Sequence, residues 1–130
     1  MKNNKKILII GSGSIALKHY NILKKSYDVF FFTENKTLKK KININKIYDD
    51  WNEATESNYL FAVIANSTDQ HIKSINNCIK KGINIYCEKP IFHKNFNYKI
   101  LKNKISKKKI FFICGYHLRQ NKKIKYIKKK

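Results

Sequence analysis

The stretch that decides the fold is Ile7-Leu8-Ile9-Ile10-Gly11-Ser12-Gly13-Ser14-Ile15-Ala16. Its first four residues are an apolar run without polar alternation, which is typical of a strand buried on both faces of a parallel sheet. The run stops at Gly11, and a helical pattern of apolar residues follows. The positions that suit one face of that helix are Ile15, Leu17, Ile22 and Leu23. The stretch therefore predicts a buried strand, a glycine-containing turn and a helix.

The glycines in this turn have the spacing Gly-x-Gly-x-x-Ala, which between a strand and a helix is a fingerprint of dinucleotide binding. Gly11 permits the tight turn, and Gly13 has no side chain to hold a pyrophosphate away from the backbone. Ala16 stands where a third glycine allows the helix to pack closely on the strand. The N–H groups at the start of the helix suit a diphosphate. The pattern predicts a nucleotide site, and the alternative is a turn without a ligand.

Length and composition bound the class of protein. The 130 residues suit one domain with a real core. No apolar run approaches the roughly 18 residues that cross a bilayer, and no signal peptide is visible, so we expect a cytoplasmic protein without membrane contact. The three cysteines are odd in number and lack metal-ligand spacing, so we expect buried thiols, no disulfide and no metal.

The formal net charge of +21 invites a nucleic-acid interpretation. Of the 29 basic residues 28 are lysine, and a surface selected to bind phosphates usually keeps more arginine for its bidentate fork. The lysines are also spread through the whole chain, and neither a recognition helix nor an aromatic–basic sheet face is apparent. We therefore expect only nonspecific, salt-sensitive binding to nucleic acid.

Further apolar runs alternate with helical patterns along the chain. The runs that predict strands are Tyr27–Phe32, Lys46–Tyr48, Tyr59–Ala65, Ile83–Cys87 and Ile110–Cys114. Such alternation predicts an α/β fold, a doubly wound parallel sheet of the Rossmann type in three α/β/α layers. Ligands of these sheets bind beyond the carboxyl ends of the strands. The polar or glycine positions at those predicted ends are Gly11, Glu34, Asn66, Glu88 and Gly115.

The helical patterns have recognisable ends. A weak pattern follows Leu38, Asp49 or Asp50 can cap a brief helix through Thr55, and the polar cluster 66–69 can cap a helix that ends at Lys81 before Gly82. Trp51 is interpreted as a packing residue. The last helix is predicted from His93 or Lys94 to Lys107. Its predicted inward residues are Phe96, Ile100, Leu101 and Ile105.

Glu34 is the candidate for binding the adenosine ribose. It follows the second predicted strand about 20 residues past the glycine turn, where dinucleotide-binding folds place an acidic residue on the ribose hydroxyls. A solvated loop carboxylate is an equal alternative for Glu34. If Thr33 and Lys36 line the pocket instead, a 2′-phosphate fits and the cofactor is NADP rather than NAD.

Three ordered motifs carry a resemblance to a known family. They are Gly11-x-Gly13-x-x-Ala16-x-x-His19, Ala65-Asn66-Ser67-Thr68-x-x-His71 and Cys87-Glu88-Lys89-Pro90, and Gly115-Tyr116-x-x-Arg119 follows the sixth predicted strand. Together they resemble the N-terminal half of the Gfo/Idh/MocA oxidoreductases over about residues 5 to 119. The Glu-Lys-Pro element is the most specific of them. The resemblance implies an NAD- or NADP-dependent enzyme that moves a hydride to or from a sugar or polyol carbon.

The resemblance also assigns roles to individual residues. It implies that Ser12, Ser14 and Ile15 lie along the diphosphate, and that Asn66, Ser67 and His71 lie near the ribose and nicotinamide side. It implies that Glu88 contacts the nicotinamide ribose region, that Lys89 is catalytic in the substrate site, and that the Lys89–Pro90 bond is often cis. For His19 and His71 a purely structural, hydrogen-bonded role is an equal alternative.

The resemblance has two departures. Family members continue into an α/β domain that supplies the substrate pocket, proton-transfer residues and oligomer contact, and we expect this domain to be missing, because Lys130 is near where the connection to it begins. Gln120-Asn121-Lys122 also departs from the usual aromatic and proline pattern. We interpret residues 1–119 as the NAD(P)-binding domain and 120–130 as a lysine-rich tail leading toward that domain. We expect a truncated chain, inactive alone and able to self-associate as a homo-oligomer. The alternative is a non-catalytic nucleotide-binding or interaction module that kept the fold.

Overall fold

The computed structural model describes residues 5–42, 45–93 and 96–116, together with Lys122. The strands within these residues are β1 (Lys6–Ile10), β2 (Asp28–Phe32), β3 (Ile47–Tyr48), β4 (Phe61–Ile64), β5 (Ile85–Cys87) and β6 (Phe112–Cys114). The helices are α1 (Ser14–Leu23), α2 (Leu38–Lys41), α3 (Trp51–Ala54), α4 (Thr68–Lys81) and α5 (Tyr98–Lys107).

The strands form one parallel sheet in the order β3-β2-β1-β4-β5-β6. The chain moves outward from β1 in one direction and, after β3, returns to the other side of β1. Ile10, the last residue of β1, pairs with Phe32 of β2 and with Ile64 of β4, so these three strands end together. This confirms the predicted fold class, and the reversal of direction at β1 opens a crevice at the carboxyl ends of the strands.

The core lies on both faces of the sheet, which explains the uninterrupted apolar run in β1. Ile7 and Ile9 point into one core and Leu8 and Ile10 into the other, and all four are at most 1% exposed. The first core includes Ala16 of α1, and the second includes apolar residues of α4 and α5. A strand between two helical layers needs apolar side chains in both directions.

The predicted helix ends are confirmed at α3 and α4. The Asp50 carboxylate accepts a hydrogen bond from the Glu53 N–H (2.9 Å) and caps α3. Gly82 ends α4 in the left-handed conformation, with φ +69°. The N–H of Ile83 then donates to the Cys78 carbonyl, so Ile83 completes the helix cap instead of starting β5, and the strand begins two residues later than predicted.

Two predictions about helices were wrong. Helix α5 begins at Tyr98, because the Asn97 side chain accepts the Lys99 N–H and caps the helix there. On that helix Leu101 is buried but Ile100 is 54% exposed, and on α1 the predicted inward residue Ile22 is 68% exposed. Both helices bury a narrower stripe than their apolar residues suggested, since each packs against only one part of the sheet.

Three further points concern membrane-spanning helices, the cysteines and the C-terminal residues. None of the helices in the described part of the chain is both long and apolar enough to span a bilayer. Cys78 and Cys87 are buried, Cys114 is partly buried, and none of the three is in a disulfide. The predictions for Arg119 and for the tail 120–130 fall outside the described residues, apart from Lys122.

Candidate functional site

A cavity of about 750 Å³ lies at the carboxyl ends of β1, β2 and β4. It brings together eight of the residues selected from the sequence, which are Gly11, Ser12, Gly13, Ser14, Ile15, Glu34, Asn66 and Ser67. Ile10, Phe32 and Ala65 form part of its lining. The cavity therefore collects the residues predicted for the diphosphate and the adenosine, with two of those predicted for the nicotinamide side, at one edge of the sheet.

The glycine turn forms the base of this cavity. Gly11 has φ +122°, and its N–H donates to the Phe32 carbonyl at 3.0 Å. A Cβ at Gly11 would lie 2.7 Å from the Ala65 oxygen and from the Asn66 nitrogen. The backbones of β1, β2 and β4 thus approach each other so closely that only glycine fits.

Gly13 leaves open space where Gly11 has none. A Cβ at Gly13 would meet no atom within 4 Å, although the residue lines the cavity. Gly13 is the N-cap of α1 and no side chain caps the helix, so the N–H groups of the first turn face the cavity edge without a side-chain partner. An open cradle of N–H groups at a helix start fits a diphosphate.

The side of the cavity that the sequence predicts for adenosine lies at the ends of β2 and β3. Thr33, Glu34 and Asp49 line it, whereas Lys36 does not. Trp51 also lines the cavity while packing edge-to-face on Phe32, with ring centroids 5.1 Å apart. Sequence reasoning treated Trp51 as packing alone and did not select Asp49. The position of Asp49 directly after the third predicted strand was the signal that could have identified it.

Asn66 lies on the opposite wall, at the end of β4. Its side-chain N–H₂ donates to Ser74 Oγ at 2.9 Å, while its Oδ1 is buried without a hydrogen-bond partner in the described part of the protein. A buried acceptor of this kind fits a donor group on a ligand, such as a ribose hydroxyl. Residues of α4 that sequence reasoning missed continue this wall: Gln70, Lys73, Ser74 and Asn77. Their helical spacing from Asn66 was the signal that could have found them.

Glu88 and His19 form a close pair beside the cavity. Glu88 is 8% exposed, and its Oε1 lies 2.6 Å from His19 Nε2. His19 also meets the Tyr86 ring in a T-shaped contact, with centroids 5.4 Å apart. Burial, together with the Glu88 carboxylate, raises the pKa of Tyr86, so this phenol stays protonated at neutral pH. The pair joins α1 to the end of β5.

His71 contacts the loop that follows β5, close to Glu88. Its ring is 1% exposed, with Nδ1 at 2.9 Å from the Pro90 carbonyl and Nε2 at 3.0 Å from the Asn66 carbonyl. The ring therefore links the loops that follow β4 and β5. The Lys89–Pro90 bond is cis, as the resemblance implied, and Lys89 is exposed outside the cavity lining. The cavity thus includes the predicted diphosphate and adenosine residues together with Asn66 and Ser67, but not His71, Glu88 or Lys89.

The buried thiols and the start of α4 complete the local electrostatics. Burial raises the pKa of both Cys78 and Cys87 to about 12, so both stay protonated at neutral pH. A hydrogen bond from the Ser67 side chain lowers the pKa of Asp69, which is exposed. Across the described residues no group of three or more potential metal ligands comes together.

The strand order, the glycine cradle and the acidic residue at the end of β2 define a dinucleotide-binding domain of the Rossmann type. A model of the family described as "Oxidoreductase family, NAD-binding Rossmann fold" matches residues 5–116. The chain therefore belongs to the Gfo/Idh/MocA oxidoreductase family. The match confirms the predicted nicotinamide dinucleotide cofactor at the level of the family.

Solved structures share this fold at low sequence identity. An oxidoreductase from Desulfitobacterium hafniense described as NADPH-dependent is 20% identical, with a TM-score of 0.84 over 99% of this chain and 39% of that one. Scyllo-inositol dehydrogenase from Lactobacillus casei is 17% identical, with a TM-score of 0.83 over 99% of this chain and 41% of that one.

A third similar structure is UDP-N-acetylglucosamine 3-dehydrogenase from Acidithiobacillus ferrooxidans, 14% identical with a TM-score of 0.83 over 98% of this chain and 42% of that one. No curated protein matches the chain. The chain therefore spans about two fifths of the length of these three structures.

Proposed function

We propose that this chain forms the cofactor-binding part of an oxidoreductase that transfers a hydride between a nicotinamide dinucleotide and a CH–OH group of a sugar or polyol. One observation carries the proposal: the glycine turn, Asn66 and the segment Glu88–Pro90 follow three neighbouring strands and meet at one sheet edge. The similar dehydrogenases of scyllo-inositol and of a nucleotide-linked sugar support the class of substrate.

In this proposal the cavity residues hold the cofactor. The backbone around Ser12, Ser14 and Ile15 binds the diphosphate at the start of α1, and Glu34 accepts hydrogen bonds from the adenosine ribose. The buried Asn66 Oδ1 accepts a hydrogen bond from the nicotinamide side of the cofactor, with Ser67 next to it. When bound, the nicotinamide ring supplies or accepts the hydride.

Lys89 is the proposed catalytic residue. An ammonium group beside the reacting oxygen donates a hydrogen bond to it, polarises a carbonyl during reduction and can transfer a proton. Glu88 and His71 are positioning residues, because Glu88 is paired with His19 and His71 bonds the Pro90 carbonyl. These contacts hold the backbone on both sides of Lys89.

The substrate walls come, in this proposal, from a second domain outside these 130 residues. This chain covers only 39 to 42% of the three similar structures, and Lys89 is exposed. We therefore propose that the chain alone binds the cofactor but does not turn over substrate.

The first test is a titration of the purified chain with NADH and, separately, NADPH, followed by nicotinamide fluorescence. We expect saturable binding, and we expect Gly13→Leu to weaken it at least tenfold, because a Cβ at this position faces open space and the longer side chain extends into the room proposed for the diphosphate. Gly82→Ala, at the far end of α4, is the matched control and leaves affinity unchanged. A folded sample that binds neither cofactor contradicts the proposal.

A second test concerns Lys89 in the complete enzyme, with its second domain present. We expect Lys89→Met to lower kcat by at least about 100-fold while cofactor affinity stays within about twofold, because the ammonium acts on the reacting oxygen. Lys99→Met, another exposed lysine, serves as the control. An unchanged kcat rules out the catalytic role.

One observation favours a second candidate, a nucleotide-binding module without catalysis. Neither Glu88 nor Lys89 lines the cavity, and of the residues assigned to the nicotinamide and substrate side only Asn66 and Ser67 do. This candidate predicts cofactor binding by the chain but no hydride transfer in the complete protein with any sugar or polyol. The two titrations and the Lys89 variant together distinguish the candidates.

A further inference from the structure

We infer that the adenosine end of this cavity selects NAD over NADP, and that Asp49 is a second specificity-determining residue beside Glu34. The inference rests on the proposed function, since it concerns the adenosine ribose of the same cofactor. NADP differs from NAD by a phosphate on the 2′-hydroxyl of that ribose, so the charges around the hydroxyl decide between them.

Glu34 and Asp49 emerge from adjacent strand ends. Phe32 pairs with Tyr48 at the ends of β2 and β3, and the Thr33 N–H donates to the Tyr48 carbonyl at 2.9 Å. Asp49 follows β3 directly, and Glu34 follows Thr33. Because neighbouring strands are about 4.8 Å apart, the backbones that carry Glu34 and Asp49 leave the sheet close together, and both residues line the cavity.

The loop after β2 is held in shape by its own hydrogen bonds. The Asn35 N–H donates to Thr33 Oγ1 at 3.1 Å, and the Asn35 side-chain oxygen accepts from the Thr37 N–H and hydroxyl at 3.0 and 2.7 Å. Glu34 and Asp49 are both exposed, and neither has an ion-pair partner among the residues described here. Within the described residues, no ion pair therefore compensates their negative charge.

The net charge of the residues lining this cavity is opposite in sign to that of the whole chain. The net charge is +21, yet the ionisable residues lining the cavity are two carboxylates and one ammonium, Lys73. Lys73 belongs to α4, which follows β4, two strands away from β2, whereas β3 is next to β2. We expect the two carboxylates to repel a 2′-phosphate of charge about −2 more strongly than Lys73 attracts it, so NADP is disfavoured.

The test compares NADH and NADPH affinities of the chain and of three variants by nicotinamide fluorescence. We expect the unmodified chain to bind NADH at least about tenfold more tightly. Asp49→Asn should improve NADPH binding about fivefold with NADH within about twofold, because one unit charge is removed near the phosphate. Glu34→Gln should improve NADPH and weaken NADH, since its carboxylate also accepts the ribose hydroxyls.

Asp50→Asn is the matched control. Asp50 does not line the cavity, and asparagine caps a helix as well as aspartate, so both affinities should stay unchanged. The preference of the unmodified chain should also shrink between about 0.05 and 0.5 M salt, because exposed charges are screened. Tighter NADPH than NADH binding, a preference independent of salt, or an unchanged ratio in Asp49→Asn overturns the inference. Binding of neither cofactor overturns the proposed function instead.

Discussion

Gly11 and Gly13 lie two residues apart, but the structure constrains them differently. Gly11 has φ +122° and backbone atoms of Ala65 and Asn66 2.7 Å from the position of a Cβ, whereas Gly13 faces open space. The first glycine is therefore required by the fold, whereas no protein contact requires the second, which we propose serves the bound cofactor. The fingerprint alone does not distinguish these requirements.

This difference predicts the effect of alanine at each position. Gly11→Ala should lower the free energy of unfolding by about 3 kcal/mol or more, because it adds both backbone strain and overpacking. Gly13→Ala is the control and should change it by less than about 1 kcal/mol. Urea unfolding followed by circular dichroism measures both. Equal stability of the two variants would contradict this view of Gly11.

The sequence alone did not decide between a cofactor-binding role and a structural role for His19 and His71. Sequence reasoning placed His71 near the cofactor or in a structural role and left His19 equally open. In the structure His71 bonds the Asn66 and Pro90 carbonyls, and His19 pairs with Glu88. Both rings contact the segment that contains Lys89, which their positions on separate helices did not reveal.

At the scale of elements, two helices end in the same way with different residues. After α4, Gly82 has φ +69° and the Ile83 N–H donates to Cys78. After α5, Lys109 has φ +53° and the Ile110 N–H donates to Ile105. The residue after each left-handed position belongs to the helix cap, which explains why β5 and β6 both begin two residues later than their apolar runs.

From the shared cap geometry we predict opposite changes in the free energy of unfolding for substitutions at Lys109 and Gly82. Lys109→Gly should raise the free energy of unfolding by about 0.5 to 1 kcal/mol, because glycine adopts the left-handed conformation without the Cβ penalty. Gly82→Ala should lower it by about 1 kcal/mol for the same reason. Chemical denaturation of both variants tests this. A destabilising Lys109→Gly would show that another contact of the lysine outweighs the strain.

At the scale of the whole molecule, one face of the sheet is incompletely covered. Phe111 is 72% and Ile113 49% exposed at the edge strand β6, on the same sheet face as Tyr86. We name Phe111 and Ile113 the β6 patch. Apolar side chains on an edge strand favour association with another surface, and the homo-oligomer stays a prediction.

We therefore predict concentration-dependent self-association through the β6 patch. Phe111→Lys should shift the protein toward the monomer in size-exclusion chromatography at several concentrations, because it places a charge in the contact. Tyr98→Lys, on exposed surface of α5, is the control and should not change the profile. A monomer at every concentration tested would be evidence against this prediction.

The sequence by itself determined the fold class and the family, and it predicted residues that the structure brings together in one cavity. Buried parallel strands require unbroken apolar runs, and a dinucleotide turn requires glycine at set spacing, so both leave a local record. The confirmed family follows from the same motifs at the ends of β1, β4 and β5. Such features depend on neighbours in the chain and can be inferred without coordinates.

Only the tertiary structure decided which side chains share a space. Asp49 and Trp51 reach the cavity because β3 pairs with β2, and Ile100 and Ile22 are exposed because each helix covers only part of the sheet. The contacts between His19 and Glu88, 69 residues apart, depend on the same packing. Contacts between distant residues depend on strand order, register and helix placement, which local periodicity does not encode.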